Sequence, residues 1–283
     1  MKICVAGLGI IGGSLCLSLK RAGYAVDGYD RSAYPREYAL NNGYIDGTVT
    51  DFSSYDVAFV ALPPKATVEF IENTPFKDGA VVADICGVKK PIEAAICRKY
   101  RNFSYVGCHP MAGREVSGIE AARAYLFDNA SMVITVNETT NAAALDIIRN
   151  LTREMGFGRI VECSAEIHDR KIAYTSQLAH IVSNAYVKDG DIDCCVGFTG
   201  GSFQDMTRIA GVDESMWAAL YLENAANISE KITALINSLA EIRDAIDGGK
   251  KDELEEILKK GRVLFENCKK ISGNDDISVK KLK

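Results

Sequence analysis

Three histidines occur in the 283 residues, and each sits in a run able to do chemistry. His109 lies in Gly107-Cys108-His109-Pro110-Met111-Ala112-Gly113-Arg114-Glu115. An apolar, strand-like run precedes it and a Pro and Gly turn follows. The imidazole is therefore expected just past a strand end, where it can accept a proton. His168 and His180 bound a helical stretch in which Ser176, Gln177 and His180 share one face. Gln204 and Arg208 share a face of a later helix, and a planar guanidinium there suits a carboxylate. His168-Asp169 equally suits a helix N-terminal pair, where the carboxylate favours the dipole. Trp217 serves a core as readily as a ligand wall.

A second group of residues has the pattern of a phosphate cradle. Gly7-Leu8-Gly9-Ile10-Ile11-Gly12 follows a strand-like run and opens a helical one. The first glycine allows a tight turn, the second lets backbone amides approach a pyrophosphate, and the third allows close helix–strand packing. Asp30 ends the second strand-like run, where a carboxylate can accept hydrogen bonds from an adenosine ribose. NAD is thus the expected cofactor. Arg31 and Ser32 follow directly and can grip a 2′-phosphate, which leaves NADP open. Leu62 and Pro63, after another strand-like run, are expected beside the same dinucleotide. No metal site is expected.

The elements that must position these residues change character along the chain. Strands are predicted at 2–6, 25–29, 56–61, 80–84, 104–107, 131–136 and 159–162. Helices are predicted between several of them, at 10–21, 65–73, 91–99 and 142–155. Such alternation predicts an α/β fold with a Rossmann-like, mainly parallel sheet. After residue 163 strand-like runs vanish and helices are predicted at 165–186, 214–246 and 252–269, with Gly248-Gly249 closing the second. The expected units are therefore a dinucleotide-binding domain at 1–162 and an all-helical substrate and dimerisation domain at 163–283. The last ten residues are polar and expected to fray. Ile228, Ile232, Leu235, Leu239 and Ile242 form a long apolar stripe. It suits packing within the helical half or against a second copy, and a homodimer through that half is the expectation.

Composition removes several function classes. A net charge of −5 and the lack of any basic stripe give no reason to expect nucleic acid. No stretch is apolar enough to span a bilayer, and the glycine-punctuated N-terminal run lacks a signal peptide's cleavage site. Nine scattered cysteines, never spaced as CxxC, fit reduced thiols in a cytoplasmic protein rather than a disulfide framework.

Taken together, the motifs resemble those of the prephenate/arogenate dehydrogenase family. Residues 107–115 with Ser117-Gly118 resemble its GxHPMxGxE-SG signature, and His168-Asp169 with 176–180 resembles its HD…SHLPH helix. Thr207-Arg208-Ile209-Ala210 with Trp217 and Asn224 resembles its DxTRIA…W…N segment. With the glycine fingerprint, the resemblance runs from residue 1 to about 230. It implies NAD(P)-dependent oxidation of prephenate, or of its amino counterpart arogenate, with loss of carbon dioxide on the way to tyrosine. It implies His109 as the base, and Gly113, Ser176, Gln177, His180, Gln204, Arg208 and Trp217 at the substrate.

Several positions depart from the family pattern. Gly87 stands where the family's D-x-x-S-V-K segment has serine, so a water or Cys86 would have to replace that hydroxyl beside His109. Gln177 replaces a histidine, Ala179 a proline, and Gln204 stands where many relatives carry a cation. These changes predict weaker capture of a dianion. No acidic residue in 176–184 awaits an ammonium, so prephenate is favoured over arogenate. The family's frequent C-terminal regulatory module is not expected after residue 230. Two other readings compete: a β-hydroxyacid dehydrogenase, and a non-catalytic NAD(P)-binding sensor or scaffold.

Overall fold

Alternate residues of the first strands enter two separate cores. Ile3 and Val5 of β1 (Ile3–Ala6) join Val57 and Phe59 of β4 (Val57–Val60) on one face, while Cys4, Ala6, Ala58 and Val60 join a core on the other. Strands buried on both faces belong to a sheet covered by helices on both sides. A computed structural model gives that arrangement for residues 1–114, 116–272 and 280–281.

The remaining strands are β2 (Val26–Tyr29), β3 (Gly47–Thr48), β5 (Val81–Asp84), β6 (Ser104–Pro110), β7 (Ser131–Thr135), β8 (Arg159–Cys163) and β9 (Lys280–Lys281). Their spatial order is β3-β2-β1-β4-β5-β6-β7-β8-β9, and every pairing is parallel except β6 with β7. The helices among them are α1 (Ile10–Arg21), α2 (Ala33–Asn41), α3 (Pro64–Asn73), α4 (Lys90–Ile96) and α5 (Ala142–Glu154). The order reverses between β1 and β4, so a crevice opens at the carboxyl ends of those strands.

From Ala165 to Ser272 the described secondary-structure elements are all helical. Ser164 accepts the Ile167 N–H and starts α6 (Ala165–Ile172), which continues through a π turn at Ala173–Gln177 into α7 (Leu178–Tyr186). Then come α8 (Gly201–Thr207), α9 (Glu214–Glu223), α10 (Ala225–Asp247) and α11 (Lys251–Ser272). Gly249, at φ +61°, makes the left-handed turn expected after α10. In α10 only Ile228 and Ala245 are buried, while Ile236, Leu239 and Ile246 on α10 and Leu258 and Phe265 on α11 are exposed.

The fold class is as expected, and several local features are not. Helix α2 escapes sequence reading because its apolar pattern is shallow: Ala39 is its one buried residue, and Pro35 sits near its start. Strand β6 runs three residues past 107, because β7 pairs His109 with Val133 and Pro110 with Met132. His109 therefore lies within a strand rather than after one. The helix predicted at 214–246 breaks at Asn224, whose backbone leaves helical geometry while its side chain bonds to α6 and the π turn. Of the last ten residues, Lys280 and Lys281 pair with β8, and the others lie outside the described residues.

Candidate active site

The glycine loop joins β1 to α1 at the crevice. Gly7 adopts φ +93°, and a Cβ there would meet the Ala61 carbonyl oxygen at 2.3 Å. A Cβ at Gly12 would come within 1.8 Å of the Gly7 oxygen, whereas one at Gly9 would meet no atom within 4 Å. Two glycines thus let the loop and helix close up, and the third keeps the approach to the helix N-terminus open. No side chain caps α1, so its first amides are directed at whatever sits there. Asp30 accepts the Leu8 N–H at 2.9 Å and the Ser32 N–H at 2.9 Å, which ties the end of β2 to the loop. Leu8 itself is buried in the core, Arg31 is exposed, and Leu62 and Pro63 flank the loop from the end of β4. An anion cradle with a carboxylate at the adenosine end fits a dinucleotide with a free ribose 2′-hydroxyl.

From Ile11 in α1 a cavity of about 610 Å³ runs to Trp217 and Leu220 in α9. His109, Gly113 and Arg114 line it from the sheet side, and Thr175, Ser176, Gln177 and His180 from the π turn and α7. His109 Nδ1 lies 2.9 Å from His168 Nε2, and His168 Nδ1 lies 2.7 Å from an Asp169 carboxylate oxygen. That carboxylate also accepts the Lys89 and Lys90 N–H groups at the start of α4, at 2.8 and 2.9 Å. His180 Nδ1 donates to the Ile209 carbonyl at 3.0 Å, and its ring packs on Trp217 with centroids 4.0 Å apart. Asn224 donates to the Gln177 side-chain oxygen at 2.6 Å, which leaves the Gln177 amide NH₂ toward the cavity.

Beneath His109 lies a fully buried ion pair. The Lys89 ammonium contacts Asp84, and Tyr105 donates to the other Asp84 oxygen at 2.6 Å. Burial, reinforced by His168 and by the Lys89 charge, holds the His109 imidazole well below its ordinary 6.5. His168 is also lowered, by burial first, although its bond to Asp169 opposes the shift. Both rings are therefore neutral near neutral pH. Burial pushes the Cys86 thiol up to about 12, so it offers no thiolate. Among the described residues no cluster of His, Cys, Asp and Glu could hold a metal ion.

Comparison with known proteins assigns the chain. Residues 15–162 match the nucleotide-binding domain of prephenate dehydrogenase, and residues 164–260 match its dimerization domain. The chain belongs to the prephenate dehydrogenase family. It is 30% identical to prephenate dehydrogenase of Bacillus subtilis, over 87% of this chain and 70% of that protein. With the cyclohexadienyl dehydrogenase of Zymomonas mobilis it shares 29% identity, over 92% of this chain and 93% of that one. Among solved structures, prephenate dehydrogenase from Aquifex aeolicus in complex with hydroxyphenyl propionate and NAD+ superposes with a TM-score of 0.80 at 26% identity, covering 95% and 98% of the two chains. Arogenate dehydrogenase from Synechocystis gives 0.79 at 26%, covering 94% and 99%.

The structure gathers most of the family's motif residues into one cleft. His109, Gly113, Ser176, Gln177, His180 and Trp217 all line the cavity. Gln204 and Arg208 do not: both are exposed, Gln204 within α8 and Arg208 at its end, one residue before the carbonyl that holds His180. Cys86 does not replace the hydroxyl missing at Gly87. Cys86 turns its thiol to the Leu62 carbonyl at 3.1 Å and to Thr67 at 3.2 Å, while His168 takes the other nitrogen of His109. Arg114 and Thr175 were missed in the sequence reading although both line the cavity. Arg114 sits inside the quoted histidine motif, which was the available signal. The His109–His168 contact joins residues 59 apart and carries no local signature.

Proposed function

We propose that this chain is an NAD-dependent prephenate dehydrogenase, with His109 as its base. One observation carries the reading: a neutral imidazole stands on the wall of a single cleft that also reaches the first turn of the glycine-loop helix. Bound NAD supplies a hydride acceptor. His109 takes the proton of the ring C4 hydroxyl as hydride leaves C4. The carbon–carbon bond to the ring carboxylate then breaks, carbon dioxide departs, and the electron pair completes the aromatic ring. The proton returns from His109 to the oxygen, giving 4-hydroxyphenylpyruvate. Aromatisation supplies the drive, so the protein contributes position and a base worth roughly 10²–10⁴ in rate.

Charge favours prephenate over arogenate. Arg114 lines the cavity, but none of the described lining residues is a carboxylate that would partner an ammonium. His180, Ser176 and the Gln177 amide are polar groups for the substrate's oxygens, Trp217 walls them in, and Gly113 leaves room at the mouth. Arg208, with Gln204 on the same short helix, serves a substrate carboxylate from the rim.

Residues 1–162 act as the cofactor unit, and residues 163–283 complete the substrate cleft and pair with a second copy. The exposed apolar residues of α10 and α11 support a homodimer through that half. No disulfide joins the described cysteines and no described helix is long and apolar enough to cross a membrane, both of which fit a reducing cytoplasm. NAD reduction with prephenate, repeated with arogenate and with NADP, tests the reading. Turnover with prephenate and NAD is expected, while NAD binding without turnover on any pairing would leave a nucleotide-binding protein.

A further inference from the structure

Resting on His109 as the base, we propose that His168 and Asp169 are positioning residues that fix which nitrogen of His109 faces the substrate. A carboxylate can only accept, so Asp169 requires His168 to carry its proton on Nδ1. Neutral His168 then presents a lone pair at Nε2, which requires a proton on His109 Nδ1 across the 2.9 Å contact. The lone pair of His109 is left on Nε2, the nitrogen nearest Gly87, where an added Cβ would still stand 3.8 Å away. Nothing at position 87 can set this tautomer, because glycine has no donor or acceptor side chain. The fixing is done entirely from the Nδ1 side.

Asp169 is itself immobilised from two sides. Its carboxylate accepts two N–H groups from the start of α4, and its backbone carbonyl accepts from Asn224 at 2.8 Å. Asp169, His168 and His109 thereby form one line from the helical half into the sheet. During turnover His109 gains a proton at Nε2. Its Nδ1 proton stays shared with His168, or passes to His168 Nε2 and leaves an imidazolium against the Asp169 carboxylate. No other bond changes. The other titratable groups around this line are the Lys89–Asp84 pair with Tyr105 beneath it, Glu93 on α4, and Arg114 and His180 in the cavity.

A double-mutant cycle separates positioning from a structural role. His168→Gln is expected to lower kcat by about a hundredfold, within the range of base catalysis, with KM for NAD held within about twofold. In a His109→Asn background the same substitution should change the residual rate by less than about threefold, since the base it positions is gone. Asp169→Asn, which offers His168 a donor and reverses both tautomers, provides a second cycle should His168→Gln fold poorly. Equal losses in both backgrounds would assign a structural role and overturn the proposal, as would a wild-type rate in His168→Gln. If His109→Asn alone retains activity, the base assignment falls instead, and the cycle reports that separately.

Discussion

At the residue scale, the chemistry rests on an imidazole kept neutral by its surroundings. His109→Asn should reduce prephenate turnover by roughly 10²–10⁴ while NAD still binds, which a dehydrogenase assay and a nucleotide titration check together. Because burial depresses both His109 and His168 from 6.5, the acid limb of kcat/KM should fall below that value; a limb centred above it would contradict the base. The same depression acts on stability. Above 6.5 both states are neutral and the fold is unpenalised, while below it the unfolded chain binds protons that the folded chain resists. Denaturant melts should accordingly weaken as pH drops through that range, and His168→Gln should flatten the slope. Gln177→Glu keeps the acceptor for Asn224 but places an anion in the cavity. We expect it to lower kcat/KM for prephenate by tenfold or more, on the order of one unpaired charge contact, and to raise relative activity with arogenate. The identity of these residues was legible because motif types and order survive in sequence. The His168 contact was not, since it depends on how a helix docks onto a strand far away in the chain.

At the element scale, the glycine loop makes a paired prediction. Gly12→Ala pushes a methyl group into the Gly7 carbonyl and should destabilise the fold as well as the cofactor site. Gly9→Ala meets no protein atom, so thermal stability should change by only about 0.5 kcal/mol while KM for NAD rises. Equal loss of stability in both would remove the reason for reading Gly9 as ligand-facing. Strands and helices flanking this loop were readable because parallel strands buried on both faces give continuous apolar runs, as in Val57–Val60 and Val81–Asp84. Helix α2 was not, with a single buried residue to mark its period. Nor was the break at Asn224, where long-range hydrogen bonds override a helix-forming sequence on both sides.

At the scale of the whole molecule, the two halves meet in one cleft, and the outer face of the helical half is left apolar. Ile236, Leu239 and Ile246 lie along one side of α10, each more than half exposed. Sedimentation should give twice the 30.7 kDa chain mass, and Leu239→Glu should shift the protein toward monomer without loss of helicity. A wild-type monomer at micromolar concentration would refute pairing through this face. The stripe read from sequence shares only Leu239 with this face: Ile228 is buried and Ile232, Leu235 and Ile242 are half-buried, so periodicity marked the inward side of α10 and not the exposed one.

The π turn at Ala173–Gln177 carries a consequence for how this enzyme's specificity can change. It supplies three consecutive cavity residues, Thr175, Ser176 and Gln177. Deleting one residue there, such as the exposed Tyr174, would restore ordinary winding and leave α6 and α7 in their present register, because a π turn accommodates one extra residue within a helix. His168, Asp169 and His180 would then keep their places, while the stretch of wall made by Thr175, Ser176 and Gln177 is redrawn. A one-residue deletion at this turn is therefore expected to reshape one wall of the cleft without displacing the base or the residues behind it.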